Sequence, residues 1–259
     1  RRRGCCCVAG LWSLPWALDH DAWAPLVENS RSVRDLHLDL GCECPAAIRE
    51  ALQEVHALRA VGPHDHITPY YTCWVEDDAL YVQLGLCSGG SLAQHFLGGQ
   101  GRAFAEAELR LVLRCAAAAL AHVHSRGLCH LDVKPDNIYA HEGSWVLGDF
   151  GMAASRGVPG SGTDRTGDAR YLAPEQLNPE NFGGSVDGAS VDVFSLGVAI
   201  YELASGKALP PTGCASLRQG RLPLLPGLTA RFQGFAVRSF HLDCDRPVRH
   251  TRETIHPIP

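Results

Sequence analysis

The chain has 259 residues, enough for one large domain or for two lobes with their own cores. Its composition, 46% hydrophobic and 20% charged, is that of an ordinary globular protein, and a formal net charge of −5 leaves no basic surface to attract nucleic acid. The longest apolar stretches are broken by Ser, Gly or charge, so no membrane-spanning segment is expected.

Residues 1–46 open on RRRGCCCVAGLWSLPWAL, a basic then apolar profile of the kind that signal peptides share. They hold Trp, Cys and Pro without a clean period of 2 or 3.6, which reads as a poorly packed extension or a mistranslated stretch. Met152 is the only methionine, so the chain is expected to be a fragment or the product of a gene model. Of the 11 cysteines, Cys5, Cys6 and Cys7 are adjacent, Cys42 and Cys44 form C-x-C, and no C-x-x-C occurs. That pattern speaks against a zinc site or a disulfide framework and for reduced thiols in the nucleus or cytoplasm.

The first clear element is a helix over Ala46–Val61, where Ile48, Leu52, Val55 and Leu58 fall at spacings of 4, 3 and 3 and Gly62-Pro63 stops the pattern. Two strands should follow around the turn Glu76-Asp77-Asp78, and Ser88-Gly89-Gly90 breaks the second. Glu106–Ser125 reads as a helix, with Leu109, Leu113, Ala116, Leu120 and Val123 on one face and Arg126-Gly127 at its end. Short strands are expected around Ile138-Tyr139 and Trp145–Leu147. Val191–Ala204 is apolar nearly all round, the mark of a helix buried in the middle of a helical lobe.

Three motifs occur in order: H-x-D-x-K-x-x-x-N from His130, D-F-G from Asp149 and A-P-E from Ala173. Each alone is weak. Together, with 12 residues from Asn137 to Asp149 and 24 from Asp149 to Ala173, they are the signature of protein kinases. Phosphoryl transfer needs positioning and charge neutralisation more than covalent help, and the residue types suit it. Asp132 would orient or accept the proton of the attacking hydroxyl, and Lys134 would offset charge on the transferred group. Asn137 and Asp149 offer hard oxygen ligands of the kind that hold Mg against the phosphates of ATP. Phe150 would pack so as to set the position of Asp149. Asp192 either caps its helix or reaches back to the catalytic loop.

The segments EVHALRAVGPHDHITPYYTCWVEDDALYVQ, CSGGSL, HLDVKPDNIY, TGDARYLAPEQL, VDVFSLGVAIYEL and LRQGRLPLLPGL together resemble the Wee/Myt family of mitotic inhibitor kinases, plant-type Wee members most of all. The resemblance covers about residues 47–259. It implies the two-lobed α+β protein-kinase fold, with residues 47–87 as a partial upper lobe and 88–259 as the lower lobe. It implies ATP and Mg as cofactors and a protein substrate, a cyclin-dependent kinase, whose ATP-loop tyrosine would be phosphorylated to delay mitotic entry. It places Glu54 as the regulatory-helix glutamate, Leu84 as gatekeeper, and Gly85, Leu86 and Cys87 as the hinge that meets adenine. It also pairs Glu175 with Arg246. The next nearest family is that of the initiation-factor-two-alpha kinases, serine/threonine enzymes.

Two departures matter. Leu131 stands where most kinases carry an arginine that grips an activation-loop phosphate, which predicts activity without such phosphorylation. The chain also has only two lysines, Lys134 and Lys207, and no G-x-G-x-x-G ahead of Glu54. The ammonium expected to pair with Glu54 and bind the α- and β-phosphates is missing from this sequence. Either residues 1–46 are a spurious replacement for the true upper lobe, or the chain is a pseudokinase that binds partners without efficient catalysis.

Overall fold

The computed structural model describes residues 12–13, 46–76, 79–98, 102–156, 167–178, 180, 186–221, 225 and 227–239. A short strand β1 (Trp12–Ser13) lies beside the later hairpin, and helix α1 (Ala46–Val61) follows, with the bounds that its periodicity and the Gly62-Pro63 stop predict. Strands β2 (Tyr70–Glu76) and β3 (Ala79–Leu84) pair antiparallel, and β1 joins the free edge of β3 to give the order β1-β3-β2. Trp12 thus sits opposite Leu80, within a segment whose sequence shows no strand period.

Below the sheet, Gly90 takes a positive φ of 78° and hands the chain to α2 (Leu92–Gly98). This helix carries a capping box that the sequence reading missed: the Gln94 N–H donates to Ser91 Oγ, and the Ser91 N–H donates back to Gln94 Oε1. Helix α3 (Glu106–Ser125) has its predicted bounds and buries the Leu109, Ala116, Leu120 and Val123 stripe. The small strands β4 (Leu128–Cys129), β5 (Ile138–His141), β6 (Ser144–Leu147) and β7 (Ala154–Ser155) form two two-stranded ladders, β4 with β7 and β5 with β6. They grip the loops between them, including a 3₁₀ turn at Pro135–Asn137. Then come α4 (Pro174–Leu177), α5 (Gly188–Ser205), α6 (Ala215–Arg218) and α7 (Ala230–Ser239).

Helix α5 begins three residues earlier than its apolar run suggests, at Gly188 rather than Val191. The glycine is needed there, because a Cβ would come within 2.8 Å of Cys129 Sγ and 2.9 Å of its Cβ. From Val191 onward the helix is buried on nearly every side, as its composition requires.

One hydrophobic cluster joins Leu52, Val55, Leu58 and Val61 of α1 to α3, to β6 and to the inner face of α5. A second packs Tyr171 and Ala173 against Val191, Phe194, Val198 and Leu217. The catalytic motifs lie where these two cores meet. Among the described residues no helix is long and apolar enough to cross a membrane.

Candidate active site

The loop from His130 to Asn137 is fixed from below by Asp192. Its carboxylate is fully buried and accepts the backbone N–H groups of His130 at 2.8 Å and Leu131 at 2.7 Å. His124 Nε2 lies 2.8 Å from the same carboxylate. Asp192 therefore reaches back to the loop rather than capping its own helix. The His130 ring is wholly buried, donates through Nε2 to the Gly148 carbonyl at 3.0 Å, and lies edge-on to Phe150 at 4.8 Å. Phe150 is itself fully buried in the core, which ties the D-F-G segment to the loop.

This anchoring bends the backbone. Leu131 adopts φ 64° and Asp149 adopts φ 58°, both in the left-handed region that residues with a Cβ rarely enter. Gly148, just before Asp149, is held close: a Cβ there would come within 2.5 Å of Thr68 Oγ1 and 3.0 Å of the Tyr139 ring.

Above the anchor, Asp132 Oδ2 receives Lys134 Nζ at 2.6 Å and Asn137 Nδ2 at 2.8 Å. Asn137 also donates to the Asp132 carbonyl at 2.9 Å, so its amide oxygen Oδ1 is turned the other way. Asp149 is exposed, and the Gly151 N–H donates to its Oδ1 at 3.3 Å. The four residues singled out for chemistry, Asp132, Lys134, Asn137 and Asp149, are thus brought together on two loops that share the His130–Phe150 contact.

Across from Asp149, the carboxyl of Glu54 is pushed up to about 7 by burial and by the Asp149 charge, with the Phe150 backbone N–H as its favourable contact. Arg59, on the same helix, is exposed. Leu84 is half-buried against the core at the end of β3. Gly85 follows it with its N–H on the Pro69 carbonyl at 2.7 Å, close enough that a Cβ would strike the proline ring at 2.9 Å. Leu86 is exposed, and Cys87 is half-buried with its thiol pushed up by burial. Glu175 is half-buried and raised by burial, whereas Arg246 lies outside the described residues.

The segment leading to A-P-E adds features that motif reading missed. Burial alone would raise Asp168, but the Arg170 guanidinium, forked on it at 2.6 to 3.1 Å, holds it below the usual carboxylate range. Tyr171 donates to Glu202 at 2.5 Å, and the Leu209 N–H donates to the other Glu202 oxygen at 3.0 Å. His124, Cys129 and Asp192 also place donor atoms within 4.8 Å of one another. That grouping is accounted for by the hydrogen bonds filling Asp192 and by a Cys129 thiol that burial and the Asp192 charge push up to about 12.

The family profile described as the protein kinase domain matches residues 41–219. The chain belongs to the protein kinases, and within them to the Wee family. A Wee1-like protein kinase of Oryza sativa subsp. japonica is 40% identical over 233 residues, covering 88% of this chain and 41% of that protein. One of Arabidopsis thaliana is 40% identical over 210 residues, 78% of this chain and 38% of that protein. The mitosis inhibitor protein kinase wee1 of Schizosaccharomyces pombe is 36% identical over 200 residues, 75% of this chain and 22% of that protein. The chain thus spans about two fifths of the length of the plant relatives. Protein kinases as a family use ATP with a divalent metal to phosphorylate proteins.

The donor set fits such a metal. An exposed carboxylate at Asp149 and an amide oxygen at Asn137 turned away from Asp132 are hard oxygen ligands. The upper side fits the nucleotide less well, since no lysine of this sequence lies ahead of Lys134.

Proposed function

We propose that this chain is the catalytic domain of a Wee-type kinase that phosphorylates a cyclin-dependent kinase and restrains mitotic entry. The observation that carries the reading is the Asp132 carboxylate, held by Lys134 Nζ at 2.6 Å and Asn137 Nδ2 at 2.8 Å on a loop locked by Asp192. Asp132 orients the acceptor hydroxyl and takes up its proton. Lys134, once the acceptor displaces it from Asp132, offsets charge on the moving phosphoryl group. Asn137 and Asp149 would hold Mg, which when bound would neutralise charge on the nucleotide phosphates. Gly85 N–H and Cys87 C=O are engaged with Pro69 and Gly90, so the hinge edge for adenine is the Gly85 carbonyl, which takes only a long contact from the Cys87 thiol at 3.8 Å, and the Cys87 N–H.

The test is phosphoryl transfer to a cyclin-dependent kinase and to the same protein with its ATP-loop tyrosine replaced by Phe. Asp132→Asn should lower transfer by about 10²–10⁴-fold, and the Phe acceptor should not be labelled. Undiminished transfer by Asp132→Asn, or equal labelling of the Phe acceptor, would refute the reading.

A second reading, a kinase-shaped binding module, is favoured by one observation. Burial and the Asp149 charge raise Glu54 to about 7, and among the described residues no cation offsets them. This polypeptide should therefore bind Mg-nucleotide weakly. A titration giving low-micromolar affinity would exclude that reading.

A further inference from the structure

The segment that carries Asp168 and Arg170 borders the catalytic carboxylate directly. A Cβ on Gly167 would come within 3.3 Å of the Leu131 carbonyl and 3.5 Å of Asp132 Oδ1. An acceptor reaching Asp132 must therefore pass along residues 167–172, and the placement of that backbone decides whether its hydroxyl meets the carboxylate.

Three carbonyls of this segment, those of Ala169, Tyr171 and Leu172, are tied down by side chains of the lower lobe. Ser195 Oγ donates to the Tyr171 carbonyl at 3.0 Å. Arg218, at the end of α6, donates through Nε to the Leu172 carbonyl at 3.1 Å and through one terminal nitrogen to the Ala169 carbonyl at 2.5 Å. Its other terminal nitrogen donates to the Thr212 carbonyl at 2.8 Å. One guanidinium thus spans the acceptor segment and the loop before α6. Only a planar fork of charged N–H donors can do this; an ammonium is a single compact point. The socket is made for it. Gly213 sits at φ 76°, and a Cβ there would strike the guanidinium and lie 2.9 Å from the Ala169 carbonyl.

We propose that Arg218 is a positioning residue for the protein acceptor: by bonding the Ala169, Leu172 and Thr212 carbonyls it fixes the segment beside Asp132 without any phosphate. The proposal rests on the kinase reading above for its functional consequence, but the lock itself does not depend on what the acceptor is. The Asp168–Arg170 pair then stands on a preset backbone, with Arg170 reaching toward Asp136 at 3.8 Å and lying over the Tyr171 ring at 5.2 Å.

The experiment compares the full chain with Arg218→Lys, Arg218→Met and Gly213→Ala. Amide hydrogen exchange is read over 168–173 and over 191–204, alongside affinity for a cyclin-dependent kinase and, where transfer is measurable, the KM for acceptor and for ATP. All three variants should raise exchange over 168–173 by about tenfold or more while 191–204 stays at the parent level. Acceptor affinity should fall by a similar factor, with the KM for ATP unchanged. Exchange over 168–173 equal to the parent in Arg218→Met and Gly213→Ala would overturn the proposal. So would a rise spread equally through 191–204, or loosening of 168–173 with unaltered acceptor affinity. A parent that transfers no phosphate would count against the proposed function alone, because the exchange readout stands without turnover.

Discussion

Asp192 holds the backbone N–H of Leu131 at 2.7 Å across 61 residues of sequence. The same carboxylate holds His130 and faces His124, so one fully buried charge fastens the catalytic loop to the core helix. Replacing it with Ala strands buried N–H donors. Asp192→Ala should cost about 3–5 kcal/mol and Asp192→Asn, which keeps one acceptor, about 1–3 kcal/mol. Denaturant midpoints at pH 7 check this, and a loss below about 1 kcal/mol for Ala would contradict the anchoring role.

Glu54 gives the fold a pH dependence of unusual sign. Its folded-state carboxyl is raised to about 7 from an ordinary 4.5, so between those values the native state binds more protons than the unfolded chain. Its contribution is therefore most favourable below pH 4.5 and declines as pH rises through 7. Glu54→Gln should flatten this part of the stability profile and stabilise the protein at pH 8 by about 1–3 kcal/mol. Urea unfolding of both proteins at pH 5 and pH 8 provides the measurement; an equal response of the two would show that Glu54 is not the cause.

Leu131 packs against the second core cluster and has no charge with which to grip a phosphate. Together with the Arg218 lock, this predicts that the activation segment works unmodified. Ala at Ser155, Ser161, Thr163 and Thr166 should leave transfer within about twofold of the parent in a steady-state assay, within the range of surface substitutions. Ser161, Thr163 and Thr166 lie outside the described residues. A collapse of activity in the fourfold variant would mean that a phosphate is needed after all.

Cys129 should be inert. It is 2% exposed, and burial next to Asp192 pushes its thiol to about 12, so almost no thiolate exists at pH 8. A short iodoacetamide pulse followed by mass spectrometry should leave it unmodified in the native protein and modified in urea. Rapid native labelling would show that the β4 segment opens.

The long elements were legible because periodicity and punctuation agreed. Helices α1 and α3 have both an apolar stripe and a Gly-containing stop, and their bounds match. The residues of the candidate site could be picked out because the three motifs fix their spacing. What escaped was short or relational. Helix α2 is seven residues long, too few for a period to show, and its signal was the Ser91–Gln94 capping pair. The start of α5 was hidden by Gly188, whose helical placement is dictated by Cys129 and not by propensity. Whether Asp192 capped or reached back depended on the loop above it. Glu202 and Arg218 acquire their partners only once the chain has folded through Tyr171 and Ala169, contacts that no local pattern encodes.

Helix α1 is held at its far end as well as along its inner face, for His122 Nε2 lies 2.9 Å from the Val61 carbonyl. That makes the helix a lever with its fulcrum at Val61. Glu54 sits seven residues from the fulcrum, about 10 Å along the axis at 1.5 Å per residue. A tilt of about 10° would carry its carboxyl roughly 2 Å, enough to part it from the Phe150 N–H. The leverage lies in the length of helix between pin and charge, so small rearrangements at the His122 end are magnified where Glu54 meets the D-F-G segment.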